Sequence, residues 1–362
     1  MLDPVSFART LIDIDSTTGR EADAGAWLAQ ALRELGYQVS EQPVADGRFN
    51  VFAHTGASPA LVFSTHFDCV PPFFKSREER GLIFGRGSCD AKGILAAQVA
   101  ASERLRARGE TRIGLLFVVG EERGSDGARV ANDHSPAFAP RRSADGAEAD
   151  ASARQAPQYL INGEPTDNRL GSATRGVLRV RLHAWGRAAH SAFPELGESA
   201  IDKLLDALMV IRGLQLPDDP LLGRTHYTVG VIEGGVAPNV VSPRASAELL
   251  FRIVGDAAPV RSALAVVEGL VSIEHVLDSP AVRMHTVPGF ETAVFPYTTD
   301  VPLLARWGTP LLVGPGSIHV AHTDDEHVAI DELLAAVDLY EKLAMQLLAG
   351  SASRNPAYER RT

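Results

Sequence analysis

One stretch constrains the fold of this chain more than any other: Ile113-Gly-Leu-Leu-Phe-Val-Val119, an uncharged run followed at once by Gly120, Glu121 and Glu122. An apolar run of strand length that does not alternate must be covered on both faces. That is the condition of a strand inside a mostly parallel sheet with helices on either side. Open α/β sheets bind ligands just beyond the carboxyl ends of their strands, where the two glutamates fall. Taken alone, an adjacent Glu-Glu reads as a solvated acidic turn. If the segment stays extended, the two side chains point to opposite sides, and the spacing predicts two separate tasks for them.

The remaining elements support an α/β reading. Helical spacing covers residues 4–17 and 22–36; residues 37–41 and 50–54 read as strands, with Asp46-Gly47 as the turn after the first of them. Residues 60–65 form a second buried strand, 72–82 a loop, and 91–108 a long alanine-rich helix. A helix begins near Asp126, residues 159–163 and 310–313 are further buried strands, and residues 330–348 are helical.

Between them the pattern changes. Residues 177–184 alternate with period two, as a strand buried on one face does. Helix 199–214, strands 227–232 and 246–253, helix 260–270 and strand 273–277 complete a β-α-β-β-α-β order, a split βαβ arrangement. Since the chain then returns to a buried strand, this α+β unit is read as an insertion. The expected division is 1–173 with 284–362 as one domain and 174–283 as the other, in keeping with a length of 362 residues. Residues 135–157, small and charged with three prolines, read as a mobile surface insertion, and the tail from Ser351 as frayed.

Composition narrows the function. A formal charge of −10 argues against a nucleic-acid surface. No apolar run approaches the roughly 20 residues of a membrane span, and the first residues lack a secretory pattern. Two cysteines, Cys69 and Cys89, are too few for a disulfide framework, which points to a reducing cytoplasm. Both thiols are expected to be buried and inert.

Five places put ligand-type residues just after a buried strand or at the mouth of a helix: His66 with Asp68, Asp90, Glu121 with Glu122, Glu164, and His322. Alone, Asp90 reads best as the N-cap of helix 91–108. Together, two histidines and several carboxylates make a donor set suited to zinc, with cobalt or manganese as substitutes. Their number favours two ions with a bridging carboxylate. Asp68, two residues beyond His66, is placed to accept that imidazole's second N–H.

Read as segments, Thr65-His-Phe-Asp-Cys-Val-Pro71, Gly85-Arg-Gly-Ser-Cys-Asp-Ala-Lys-Gly93, Gly120-Glu-Glu122, Gly163-Glu-Pro-Thr166 and the stretch from Gly314 to Glu326 resemble the zinc aminoacylase/carboxypeptidase family. That family includes acetylornithine deacetylase and succinyl-diaminopimelate desuccinylase, and the resemblance runs from about Leu2 to Leu348. It implies His66 and Glu164 on one zinc, Glu122 and His322 on the other, and Asp90 between them. It further implies Asp68 as orienter of His66 and Glu121 as general base. In the inserted unit, Gly186-Arg-Ala-Ala-His190-Ser resembles the family's oxyanion-stabilising histidine, often contributed across a dimer interface. Asn239 and Arg252 match positions that hold the substrate's carboxylate. Loop 72–82 departs from the family by lacking its Trp and Asp-Pro-Phe run.

The resemblance implies a homodimeric, two-zinc amidohydrolase acting on an N-acyl amino acid, most like acetylornithine deacetylase. The alternatives are desuccinylation, di- or carboxypeptidase activity, and a non-catalytic metal-stabilised binding protein.

Overall fold

The structure is a computed structural model that describes residues 2–56, 58–135 and 156–352. Most of the insertion expected at 135–157, and the end of the expected tail, lie outside the described residues. The chain divides into two compact units, one of residues 1–172, 284–293 and 299–362, the other of residues 173–283 and 294–298.

The first unit is built on a six-stranded sheet. Its strands are β1 (Gln38–Ala45), β2 (Arg48–His54), β3 (Leu61–His66), β4 (Ile113–Val118), β5 (Tyr159–Asn162) and β6 (Thr309–Leu312), in the order β1-β2-β4-β3-β5-β6. β4, β3, β5 and β6 run parallel, and the β1–β2 hairpin closes one edge antiparallel. Asp46 and Gly47 both take positive φ, as a two-residue hairpin turn that follows the strand twist requires.

Every residue of β3 and β4 is buried, as the unbroken apolar runs predict. Alternate residues serve different cores. Leu61, Phe63, Ile113, Leu115 and Phe117 face helices α1 (Pro4–Ile12), α2 (Ala22–Glu34), α3 (Lys92–Ala107) and α5 (Ile330–Ala352). Val62, Leu116 and Val118 meet Trp307 and the alanines of α4 (Asp126–Asp133) on the other side.

Two expectations change. The helix read over 4–17 stops at Ile12, because the chain beyond it pairs with the segment after β3: Cys69 N donates to Ser16 O, and Thr18 N to Cys69 O. The buried Lys92 ammonium donates to the carbonyls of Leu11 and Ile14 and satisfies the end of that helix. The loop read over 72–82 contains strand Arg77–Glu79 and the start of Leu82–Phe84, which pair with each other, and Leu82–Phe84 pairs on its other side with His327–Ala329. Alternating patterns this short carry too little signal until a partner strand is present.

The second unit is a four-stranded antiparallel sheet in the order His226–Gly234, Arg244–Ile253, Gly176–Trp185, Ser272–Ser279. Helices Ala200–Arg212 and Ala258–Leu264 cover its apolar face. The other face carries Arg179 and Arg181 paired with Glu248, which accounts for the period-two pattern read in the sequence.

Candidate metal centre

Register places the site. His66 is the last residue of β3, level with Val118 of β4, and Ser64 lies opposite Asn162 of β5. The residues that follow these strand ends, Phe67–Cys69, Gly120–Glu122 and Gly163–Glu164, therefore emerge side by side at one sheet edge. Asp90 joins them from the start of α3, and His322 from the loop between β6 and α5.

His66 is buried. Its Nε2 lies 3.0 Å from Asp90 Oδ1, and its Nδ1 lies 3.1 Å from the Asp68 carbonyl and 3.4 Å from Asp68 Oδ1. His322 Nε2 lies 3.3 Å from Asp90 Oδ2 and 2.9 Å from Glu122 Oε1. Asp90 thus stands between the two imidazoles with one oxygen toward each. It is not the helix cap: Ala91 occupies that position, without a side-chain capping bond. A ring nitrogen of His66, a carboxylate oxygen of Asp90 and one of Glu122 all fall within 4.8 Å of one another, a spacing that one cation can span.

Asp68 does more than the spacing predicts. Its carboxylate accepts from Thr18 Oγ1 at 2.8 Å and from the backbone N–H groups of Glu121 and Glu122 at 3.1 and 3.2 Å. One buried carboxylate therefore holds both the His66 segment and the glutamate pair. The pair itself corrects the extended geometry expected: after Gly120 at φ +76°, residues 121–123 form a 3₁₀ turn. Successive side chains on such a turn diverge by about 120°, so Glu121 and Glu122 still separate, for a different reason.

The electrostatics follow from excess acid in a dry place. Burial and then the neighbouring Glu164 raise the Glu121 carboxyl well above its usual range. Burial does the same to Glu164 and, to a lesser degree, to Glu122, where the bond from His322 works in the opposite direction. At Asp90 burial opposes the charge, but the bonds from His322 and His66 outweigh it and hold its pKa low. His322, bonded to Asp90 and Glu122, is raised to about 10. His66 is raised well above its ordinary value, because Asp68 and Asp90 overcome its burial.

Sequence reading missed Asp300. It is 1% exposed, neither carboxylate oxygen has a well-aligned hydrogen bond among the described residues, and burial raises it to about 6. Nothing in Thr298-Thr299-Asp300 marks it as a site residue; only burial beside the charges of His66 and Asp68 does.

These residues fit a divalent cation. Carboxylates outnumber imidazoles, and Glu164 Oε1 is buried without a hydrogen-bond partner among the described residues. A buried carboxylate oxygen left bare is costly unless a proton or a cation meets it.

In the second unit, His190 is exposed; it bridges Val240, and Ser191 N donates to Asn239 O at 3.0 Å. The segments carrying His190 and Asn239 are therefore neighbours, at the start of strand Arg244–Ile253. Arg252 lies near the other end of that strand, half-buried, opposite His226, with no ion pair among the described residues. Eight residues of strand separate Arg244 from Arg252, roughly 25 Å. One copy of the chain does not bring Asn239 and Arg252 to a single carboxylate.

A mostly parallel α/β sheet with imidazoles and carboxylates converging at its carboxyl edge is the arrangement of a metal-dependent hydrolase. The chain belongs to peptidase family M20/M25/M40, whose model matches residues 62–346. It is 37% identical over 388 residues to a probable carboxypeptidase of Aspergillus clavatus, covering 95% of this chain and 82% of that one. It is 34% identical over 357 residues to a peptidase M20 domain-containing protein of Schizosaccharomyces pombe, covering 94% and 84%. Among solved structures, a tripeptidase of Staphylococcus aureus superposes with a TM-score of 0.75 at 19% identity, covering 95% and 98% of the two chains. An M20 family metallo-carboxypeptidase of Sulfolobus solfataricus gives 0.72 at 18% identity, covering 94% and 98%. At such identities the likeness is one of fold. Among the described residues no helix is long and apolar enough to cross a membrane.

Proposed function

We propose that the protein hydrolyses the amide bond next to a free carboxylate in a short peptide, as a carboxypeptidase does, using two zinc ions. The observation that carries this reading is the converging set His66, Asp90, Glu122 and His322, with bare Glu164 beside it. In this reading His66 and Glu164 would hold one ion and Glu122 and His322 the other, with Asp90 available to both; cobalt or manganese would suit the same donors. Bound there, the ions would supply Lewis-acid chemistry and lower the pKa of a water to about 7. Glu121 takes the proton of the attacking water and returns it to the leaving amine nitrogen. Asp68 keeps His66 in one tautomer and holds the turn that aims Glu121.

The second unit, residues 174–283 in this reading, acts as lid and dimerisation domain. His190 stabilises the oxyanion, and Asn239 and Arg252 hold the substrate carboxylate. Their separation along one strand supports a homodimer in which two copies complete each site. Two free, buried cysteines support a reducing cytoplasm as its compartment.

Deacylation of an N-acyl amino acid, acetylornithine deacetylase-like, is the second reading, favoured by the segment Gly314-Pro-Gly-Ser-Ile318 leading to His322. The names of the curated relatives favour the first. A panel of dipeptides, N-acetyl and N-succinyl amino acids, assayed with zinc or cobalt, separates the two. Turnover of N-acyl amino acids without any dipeptide cleavage would overturn the carboxypeptidase reading.

A further inference from the structure

Glu326 follows His322 by four residues and is fully buried. One of its oxygens, Oε1, accepts three backbone N–H groups from a single turn: Gly87 at 3.0 Å, Cys89 at 3.1 Å and Asp90 at 3.0 Å. The other, Oε2, takes Arg86 Nη1 at 2.7 Å. Arg86 is itself 1% exposed and donates through Nε to the Pro72 carbonyl. The backbone extends the join, since Gly85 N donates to Glu326 O and His327 pairs with Phe84. Successive N–H groups converging on one carboxylate oxygen form an anion-binding concavity, here filled by the protein's own side chain.

We infer that Glu326 is a positioning residue for the metal pair: its carboxylate ties the turn carrying Asp90 to the loop carrying His322, and so sets metal affinity without touching metal. Asp90 needs both oxygens aimed, one at each imidazole, with separations of 3.0 and 3.3 Å. Its side chain has little freedom once its own N–H is pinned to Oε1. His322, with φ +64°, sits in a backbone conformation that surrounding structure must enforce. The anchor four residues on supplies that enforcement. The inference rests on the metal centre proposed above.

Two double variants isolate the tie from the ion pair. Glu326→Gln with Arg86→Met keeps a carbonyl oxygen for the three N–H groups and removes both charges. Glu326→Leu with Arg86→Met removes the acceptor as well, at similar volume. Zinc affinity is measured by competition with a chromophoric chelator, and the visible spectrum of the cobalt form reports ligand geometry. The leucine pair should bind zinc about 10–100-fold more weakly than wild type and show an altered cobalt spectrum. The glutamine pair should stay within about threefold of wild type. Wild-type zinc binding below one ion per chain overturns the metal centre itself. Normal wild-type binding with equal affinities in the two pairs, or an unaltered leucine pair, overturns only the role of Glu326. Should the leucine pair fail to fold, amide exchange in the metal-free wild type decides. Protection at Gly87, Cys89 and Asp90 comparable to that of β3 supports the tie, and exchange at unstructured rates overturns it.

Discussion

At the scale of single residues, the proposed arrangement divides the work between Glu121 and Asp68. Glu121 has no metal to hold in the proposed arrangement, and the Asp68 oxygen receives its backbone N–H. Glu121→Gln should therefore retain wild-type zinc content, read by elemental analysis, while kcat falls by about 10²–10⁴ or more. Retained turnover would remove it from the base role. The ligand-type residues were legible because each follows a buried strand or opens a helix and carries a donor atom. Asp300 and the extra bonds of Asp68 were not, because a carboxylate's partners depend on which distant backbone reaches it. Thr18, 50 residues away, reaches Asp68 only after folding. The thiols are free and buried as expected, and each abuts a glycine: an added Cβ on Gly87 would meet Cys69 Sγ at 2.6 Å, and one on Gly316 would meet Cys89 Sγ at 2.5 Å.

At the scale of elements, the strand ends depend on close approach. Gly163 links β5 to Glu164, and a Cβ added there would stand 2.4 Å from Ile94 Cγ2 and 2.6 Å from Gln98 Nε2, both on α3. Gln98 also holds the Ser64 carbonyl of β3, so a shift would be felt by two strand ends. Gly163→Ala should lower stability by about 1–3 kcal/mol, read as a lower denaturant midpoint at unchanged slope. Zinc affinity should fall with it as Glu164 is displaced. An unchanged midpoint would show that α3 yields without cost. The long buried strands and alanine-rich α3 were readable from pattern alone. The 3₁₀ turn at Glu121 and the short strands within 72–84 were not, since their geometry comes from tertiary partners: the Asp68 carboxylate for the turn and His327–Ala329 for the strands.

At the scale of the whole molecule, strand His226–Gly234 is an open sheet edge among the described residues, with Val229, Val231 and Ile232 exposed. Open apolar edges invite strand addition. If two copies meet there, Val231→Lys with Ile232→Lys should halve the mass measured by light scattering. The circular dichroism spectrum should be unchanged, and turnover should fall if His190 or Arg252 acts on the partner's substrate. A wild-type monomer in solution would refute the dimer outright.

The sequence by itself determined the α/β class and the long buried strands and helices, and it pointed to ligand-type side chains at one sheet edge. Unbroken apolar runs can be satisfied only by two-sided burial, and the residues that terminate them must then share one edge. Tertiary structure alone decided how those atoms are aimed. Asp90 lies between two imidazoles because Glu326, 236 residues later, holds its turn. The glutamate pair diverges because Asp68 caps it. Hydrogen bonds of such sequence separation leave no periodicity to read: their donors and acceptors are ordinary backbone groups until the fold brings a carboxylate to them.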